Sequence, residues 1–406
     1  MSRHRILSLG ARGDGVAEGP LFAPRTLPGE EVSGTPEGAR LTDIRILSPS
    51  SDRVRPPCRH FTRCGGCQLQ HASDAFVAAW KLDRVREALA ARGIEAEVMA
   101  LHTSPPASRR RAVLSARRTK SGALAGFHAR ASDQVIEVPE CRLLHPDLMP
   151  ALDAARDLAR AGTSRKGEIA VTATLSLGGL DLAVRGGNRL DEPLRLTLSE
   201  IAARHDLARL AWEGEVILTR RAPAQILSGV AVVPPPGAFL QATSEGESVL
   251  VDAVTGILDG ARRVADLFAG CGTFTFPLAR HGAVHAVEGA PGMVAALTHA
   301  VRHAQNLRPI TGETRDLFRR PLEGPELAGL DGAVIDPPRA GAEAQIAALA
   351  QAGVPRIAHV SCSPTSFARD AAQLAAAGYA MGPVRVVDQF RWSAHVELVA
   401  GFTLHR

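Results

Sequence analysis

VADLFAGCGTFTFPLA, residues 264–279, decides the fold. It reads as an apolar strand ending in Asp266, a loop carrying Gly270 and Gly272, and then an apolar helix. Two close glycines let a backbone approach a ligand with no Cβ in the way. A loop of this kind after the first strand is where doubly wound α/β sheets bind nucleotides. The third glycine of the dinucleotide pattern G-x-G-x-x-G is missing, which argues against NAD. The next strand, AVHAVE at 283–288, ends in Glu288, a carboxylate able to accept both ribose hydroxyls of an adenosine. Together these features read as a site for S-adenosylmethionine. A helix at 246–258 precedes a strand at 262–268, and further strands fall at GAVIDP (332–337) and RIAHVSC (356–362). Strands alternating with helices predict an α/β, Rossmann-like domain over 239–406, its mostly parallel sheet covered on both faces.

The bulk numbers fit an enzyme with a polyanionic partner. A chain of 406 residues suggests two or three domains, and 45% hydrophobic residues suffice for real cores. A net charge of +5 and a pI near 9.1 permit nucleic acid without requiring it. An aromatic content of only 4% argues against a broad base-stacking platform. No run approaches the roughly 20 apolar residues that span a bilayer, and MSRHRILSLGARGDG lacks a signal-peptide core. A cytoplasmic protein is expected, with its six cysteines reduced.

Three short segments carry chemistry. Asp336-Pro337-Pro338-Arg339 follows a strand, and its rigid turn can hold polar groups beside a planar base. Arg339 stands where amino-methyltransferases place a stacking aromatic, which argues against methylation of an exocyclic amine. Ser361-Cys362-Ser363-Pro364 puts a thiol at the carboxyl end of a strand, where a following helix N-terminus would favour thiolate. His395-Val396-Glu397 puts a carboxylate in an otherwise apolar strand, HVELVAGF, where its pKa should rise. A thiolate, a carboxylate and a methyl donor are the minimum set for alkylating C5 of uracil. C5 becomes nucleophilic once a thiolate adds to C6, and a base must then remove the C5 proton.

Ahead of this block, residues 1–50 read as short strands joined by Gly- and Pro-rich turns, which predicts a small β-barrel. Residues 51–238 read as a central β-rich domain. It begins with Cys58, Cys64 and Cys67, which with distant Cys141 give four thiols suited to zinc or to an iron–sulfur cluster. A helix at 74–92 has an apolar face fit to pack on the catalytic domain. Arg109, Arg110, Arg111, Arg117 and Arg118 form a basic segment suited to RNA phosphates.

Phe239-x-Gln241, the loop at 267–279, Asp336-Pro337-Pro338-Arg339, Ser361-Cys362-x-Pro364 and His395-Val396-Glu397 occur together over nearly the whole chain. The combination resembles the bacterial RNA (uracil-5-)-methyltransferases, most of all their iron–sulfur-containing 23S ribosomal RNA branch. The resemblance implies Cys362 as nucleophile and Glu397 as general base. It implies cofactor or site roles for Gln241, Phe268, Thr273, Glu288, Asp316 and Asp336, and a [4Fe–4S] cluster on Cys58, Cys64, Cys67 and Cys141. It further implies an RNA-binding TRAM-like N-terminal barrel, short in this chain, and a monomer acting on RNA, with 23S rRNA as substrate. Thr273 and Asp316 stand where the family often has Asn, and Thr243, Ser363 and Arg391-Trp392 depart from its pattern. The rival readings are a tRNA uracil-5-methyltransferase, an RNA cytosine-5-methyltransferase and a non-catalytic iron–sulfur RNA-binding protein. The cytosine enzymes carry a cysteine in the turn that reads Asp-Pro-Pro-Arg here.

Overall fold

The computed structural model describes residues 2–405, so Met1 and Arg406, the outermost residues of the first and last expected domains, lie outside it. At the N-terminal side β1 (Ser2–Leu9), β2 (Gly15–Ala17), β3 (Leu21–Ala23), β4 (Glu31–Glu37) and β5 (Arg40–Ser48) close into a barrel in the order β1-β2-β3-β5-β4. Closure leaves no strand edge unpaired. Ile6, Ala17, Ala23, Val32 and Leu41 fill it, a small core for an independent unit. Charge ties the barrel to its surroundings. Arg53 reaches the fully buried Glu30 at 2.5 Å, and Arg130 of the middle domain meets Asp14 at 2.5 Å.

Helix α1 (Asp74–Ala90) follows, capped by Ser73, whose side chain accepts the Phe76 N–H. Its buried residues are Val77, Lys81, Val85 and Leu89, a stripe at intervals of four. Val85 and Leu89 join the core of the catalytic domain, and the helix packs on a helix over Pro364–Ala376. The short strand β6 (His102–Thr103) also pairs with the catalytic sheet.

The middle sheet contains β7 (Arg111–Arg118), β8 (Ala123–His128), β9 (Val135–Glu137), β10 (Glu168–Ser176), β11 (Gly179–Arg185), β12 (Arg209–Trp212) and β13 (Glu215–Thr219). Their spatial order is β13-β12-β11-β10-β7-β8-β9. Alternation decides its faces: in β7 Ala112, Leu114 and Ala116 point inward. Helices α2 (Ala151–Gly162) and α3 (Glu192–Arg204) share its core. A hairpin of β14 (Gln225–Leu227) and β15 (Val230–Val232) then packs on the catalytic domain through Leu227, Val230 and Val232.

The catalytic domain runs α4 (Ser244–Ile257), β16 (Arg263–Leu267), α5 (Thr275–Leu278), β17 (Ala283–Glu288), α6 (Pro291–His303), β18 (Ile310–Thr314), β19 (Gly332–Ile335), α7 (Glu343–Ala352), β20 (Arg356–Ser361), α8 (Pro364–Ala376), β21 (Tyr379–Met381), β22 (Arg385–Asp388) and β23 (Glu397–Leu404). The sheet order is β18-β17-β16-β19-β20-β23-β22-β6, with β21 paired to β23. From β18 to β20 all pairs are parallel, and β23 is antiparallel to both β20 and β22. The first strand in sequence, β16, has β17 on one side and β19 on the other. That reversal of direction opens the crevice where such sheets bind ligands. Among the described residues no helix is long and apolar enough to cross a membrane.

One buried contact clamps α1 to this domain. Lys81 Nζ lies 2.6 Å from Asp388 Oδ2, with both side chains almost wholly inaccessible. Burial pulls the lysine's pKa down and pushes the aspartate's up, and each charge opposes that shift in its partner. Removing one member leaves an uncompensated buried charge. Lys81→Met alone, or Asp388→Asn alone, should cost about 3–5 kcal/mol in urea-unfolding experiments. The double variant Lys81→Met/Asp388→Leu should recover most of that loss. Equal losses for the single and double variants would show that the pair's charge is not what matters.

Candidate active site

The glycine loop joins β16 to α5. Gly270 and Gly272 adopt φ of +57° and +103°, and a Cβ at Gly272 would lie 2.5 Å from the Phe276 ring. Glycine is therefore required on two counts. Beneath the loop, Asp266 is fully buried and accepts the Thr275 hydroxyl at 2.5 Å. Burial pushes its pKa up to about 7, against the hydrogen bonds from Thr275. Glu288, ending β17, accepts the N–H of Gly270 at 3.0 Å and of Ala290 at 2.8 Å. Each oxygen keeps a lone pair for a further donor, so ribose hydroxyls remain within its capacity.

A cavity of about 520 Å³ opens over this loop. Gln241, Phe268, Thr273, Glu288, Asp336, Cys362 and Glu397 all line it, so seven of the eight sequence-predicted residues of the catalytic domain converge. Asp316 does not. It is exposed in the loop after β18, where it accepts the Phe318 N–H at 3.0 Å and lies 3.4 Å from Arg319.

Cys362 sits between β20 and α8, beside the cavity's acidic wall. Burial, then the negative charges of Glu397 and Asp336, push its thiol up to about 11, against a smaller opposing pull from Arg339. This corrects the expectation that the helix start lowers the pKa. Ser363 already caps α8 by accepting the Ser366 N–H, and desolvation outweighs what the dipole supplies. Glu397 opens β23 in the middle of the sheet rather than at an edge. Burial first, and then Asp336, raise its pKa well above the usual carboxylate range. Asp336 rises to about 7 through burial and the neighbouring Asp266. Arg339, instead of stacking, donates to the His395 ring at 2.8 Å, and burial together with that cation lowers the imidazole to about 4.

Sequence reasoning missed Gln389. The Thr243 N–H donates to Gln389 Oε1 at 3.3 Å, and Gln389 Nε2 donates to Gln241 Oε1 at 2.7 Å. A main-chain N–H can only donate, so it fixes the first amide, and the first amide fixes the second. Gln241 is thereby left with its NH₂ to offer to the cavity. Room for this relay comes from Gly246 of α4, where a Cβ would lie 2.3 Å from the Gln389 side chain. Thr243, the departure from the family pattern, is the N-cap of the same helix. The only local sign of Gln389 was a polar residue following an apolar strand.

The basic segment is half-buried and engaged within the protein, rather than forming the free phosphate-binding surface expected of it. Arg109 lies over the Phe390 ring at 5.5 Å, Arg110 pairs with Glu247 at 2.6 Å, and Arg111 donates to the Ala238 carbonyl at 3.0 Å. Arg117 pairs with Glu168 at 2.6 Å and Arg118 donates to the Thr163 carbonyl at 2.9 Å. These side chains stitch the middle domain together and to the catalytic domain, which leaves their charges little access to phosphate.

Cys58, Cys64, Cys67 and Cys141 line one small cavity of about 40 Å³ with Phe61, Phe127 and Arg109. The chain is tight there: a Cβ on Gly65 would lie 2.8 Å from the His128 carbonyl. Burial pushes Cys67 up to about 12 and raises Cys64 and Cys141, and the sulfurs raise one another. Four soft donors sharing a desolvated pocket suit a thiolate-bound group in chemistry. As placed, however, no three His, Cys, Asp or Glu side chains among the described residues form a ready metal site.

Residues 235–406 match the model of the tRNA (uracil-5-)-methyltransferase family. The chain is 44% identical over 404 residues to an uncharacterized RNA methyltransferase of Brucella suis, covering 99% of this chain and 97% of that one. A 23S rRNA (uracil(1939)-C(5))-methyltransferase of Chromohalobacter salexigens is 33% identical over 416 residues, covering 95% of this chain and 86% of its own. The solved tRNA (uracil-54, C5)-methyltransferase of Pyrococcus abyssi, in complex with S-adenosyl-L-homocysteine, superposes with a TM-score of 0.77 at 21% identity, with 99% of each chain covered, and so shares the fold. With its glycine loop, thiol and buried carboxylates gathered in one cavity, and with relatives matching it from end to end, the chain belongs to the S-adenosylmethionine-dependent RNA (uracil-5-)-methyltransferases.

Proposed function

We propose that the enzyme methylates C5 of one uridine in 23S rRNA, with Cys362 as nucleophile and Glu397 as base. The observation that carries this reading is the shared cavity: Cys362, Glu397 and Asp336 face the same space as the glycine loop and Glu288. The ribosomal RNA relative matched over most of both chains favours 23S rRNA over tRNA as substrate. S-adenosylmethionine bound between Phe268, Thr273, Glu288 and Asp336 would supply the methyl group, and its positive sulfonium would favour ionised acids nearby.

The steps balance on this chain's own groups. The Cys362 thiolate adds to C6, and the ring's electron pair moves towards C5 and O4. C5 takes the methyl group with that pair, and the pair of the broken methyl–sulfur bond stays with the departing S-adenosylhomocysteine. Glu397 as carboxylate removes the C5 proton, the C6–S bond breaks, and thiolate and 5-methyluracil are restored. Burial raises the pKa of both groups before ligands arrive, that of Cys362 to about 11, so reaction requires the thiol to give up its proton. Cys58, Cys64, Cys67 and Cys141 would hold a [4Fe–4S] cluster; methyl transfer needs no electron, so its role is to fix the middle domain.

Three outcomes follow. Native enzyme should form a covalent adduct with 5-fluorouridine RNA, because fluorine at C5 cannot leave as a proton does. Cys362→Ala should form none and lose turnover, while Glu397→Gln should accumulate a methylated RNA–protein complex on denaturing gels. Turnover by Cys362→Ala would defeat the scheme. Secondly, iodoacetamide alkylation of Cys362 in the free enzyme should accelerate with pH towards a midpoint near 11. That midpoint should fall in Glu397→Gln, where one neighbouring negative charge is gone. A native midpoint at the ordinary thiol value would contradict the burial argument. Thirdly, anaerobically purified protein should contain about four irons per chain, bleached by Cys67→Ser. One zinc and no iron would refute the cluster.

A further inference from the structure

A second cavity, of about 560 Å³, adjoins the first, and the two share Arg339, Cys362 and His395. Its remaining walls bring together distant parts of the chain: Arg12 from the turn after β1, Arg84 from α1 and Arg130 from the loop after β8. The start of α8 supplies Ser363 and Thr365. Four guanidinium groups thus surround one open space, and no carboxylate among the described residues lines it. Arg84 is held by the Ala394 carbonyl at 2.6 Å and Arg130 by Asp14 at 2.5 Å, so both are fixed in place with donors to spare. Arg12 is exposed. This is the basic surface that the segment at 109–118 does not supply.

We infer that this cavity binds the phosphodiester on the 5′ side of the target uridine while the base enters the neighbouring cavity. The inference rests on the reading of Cys362 as the nucleophile. In an anti pyrimidine nucleotide, C6 faces the sugar's 5′ carbon, so a sulfur attacking C6 has the 5′ phosphate close by. An anion site beside Cys362 is what attack at that atom demands. An extruded base also leaves its backbone at the mouth of the pocket. The middle and N-terminal domains then act directly on substrate: one arginine from each, with two from α1 and the catalytic domain, grips the strand at the point of chemistry.

The test uses full-length enzyme and an RNA containing the mapped target uridine. Arg12→Ala should raise KM for RNA roughly three- to tenfold, with S-adenosylmethionine affinity unchanged. The slope of log affinity against log salt should become shallower by about 0.7–1. A neutral methylphosphonate at the 5′ phosphodiester of that uridine should weaken binding to native enzyme but add little to the loss in Arg12→Ala, since each removes the same contact. Fully additive losses, or unchanged KM and salt slope in both Arg12→Ala and Arg12→Glu, would overturn the subsite while methylation by native enzyme stands. If native enzyme methylates no uridine and forms no 5-fluorouridine adduct, the nucleophile reading fails and takes the subsite with it.

Discussion

The ion pair between Lys81 and Asp388 is the constraint on which the arrangement of this enzyme depends. It joins an N-terminal helix to the penultimate strand of the catalytic sheet through two side chains that water does not reach. Asp388 is followed by Gln389 and Phe390. The first sets the orientation of Gln241, and the second lies under Arg109 of the middle domain. The same short segment therefore receives α1, positions a side chain of the cavity and receives the middle domain. Arg391 extends the seam by reaching Asp74 at 2.5 Å. A hydrophobic pair could hold α1 as strongly, but it would not fix a helix to one register against a strand so narrowly.

Within the cavity, the chemistry turns on where protons sit. Asp266, Asp336 and Glu397 are crowded carboxyls whose burial keeps them from all ionising together, and Cys362 adjoins them. Such groups titrate as a set rather than singly. In the proposed scheme the wall is thus a reservoir of protons beside Cys362, which would have to lose one, and Glu397, which would have to gain one. Arg339 is the cation facing this set, and its contact with His395 holds it there while keeping the imidazole neutral.

Much of this was legible in the sequence wherever function imposed a local pattern. The strand AVHAVE is found at the bounds expected, and Glu288, Asp336, Cys362 and Glu397 each sit at the sheet's binding edge because each ends, follows or begins a strand. Long-range partners were not legible. A run of arginines between 109 and 118 carries no sign that Glu247, Glu168 and backbone carbonyls lie opposite, since those partners are fixed only by tertiary packing. The shift of Cys362 was misjudged for a related reason. A helix start is visible in sequence, whereas the depth of burial and two acidic neighbours are not. Asp316, where the family often has Asn, is held at the surface by its own turn.

The position of β23 bears on how the protein is made. It lies between β20 and β22 and carries Glu397, although it is the last strand of the sheet in chain order. A nascent chain can form the barrel and the middle sheet early, but the catalytic sheet stays split until residues 397–404 have emerged from the ribosome. About 300 residues separate Lys81 from Asp388, a wait of roughly 15–60 s at ordinary rates of synthesis. Through that interval Lys81 of α1 lacks its counter-charge, while the strands from β16 to β20 lack their antiparallel neighbour. Glu397 arrives with that strand, so the cavity lacks one wall until β23 has taken its place between β20 and β22.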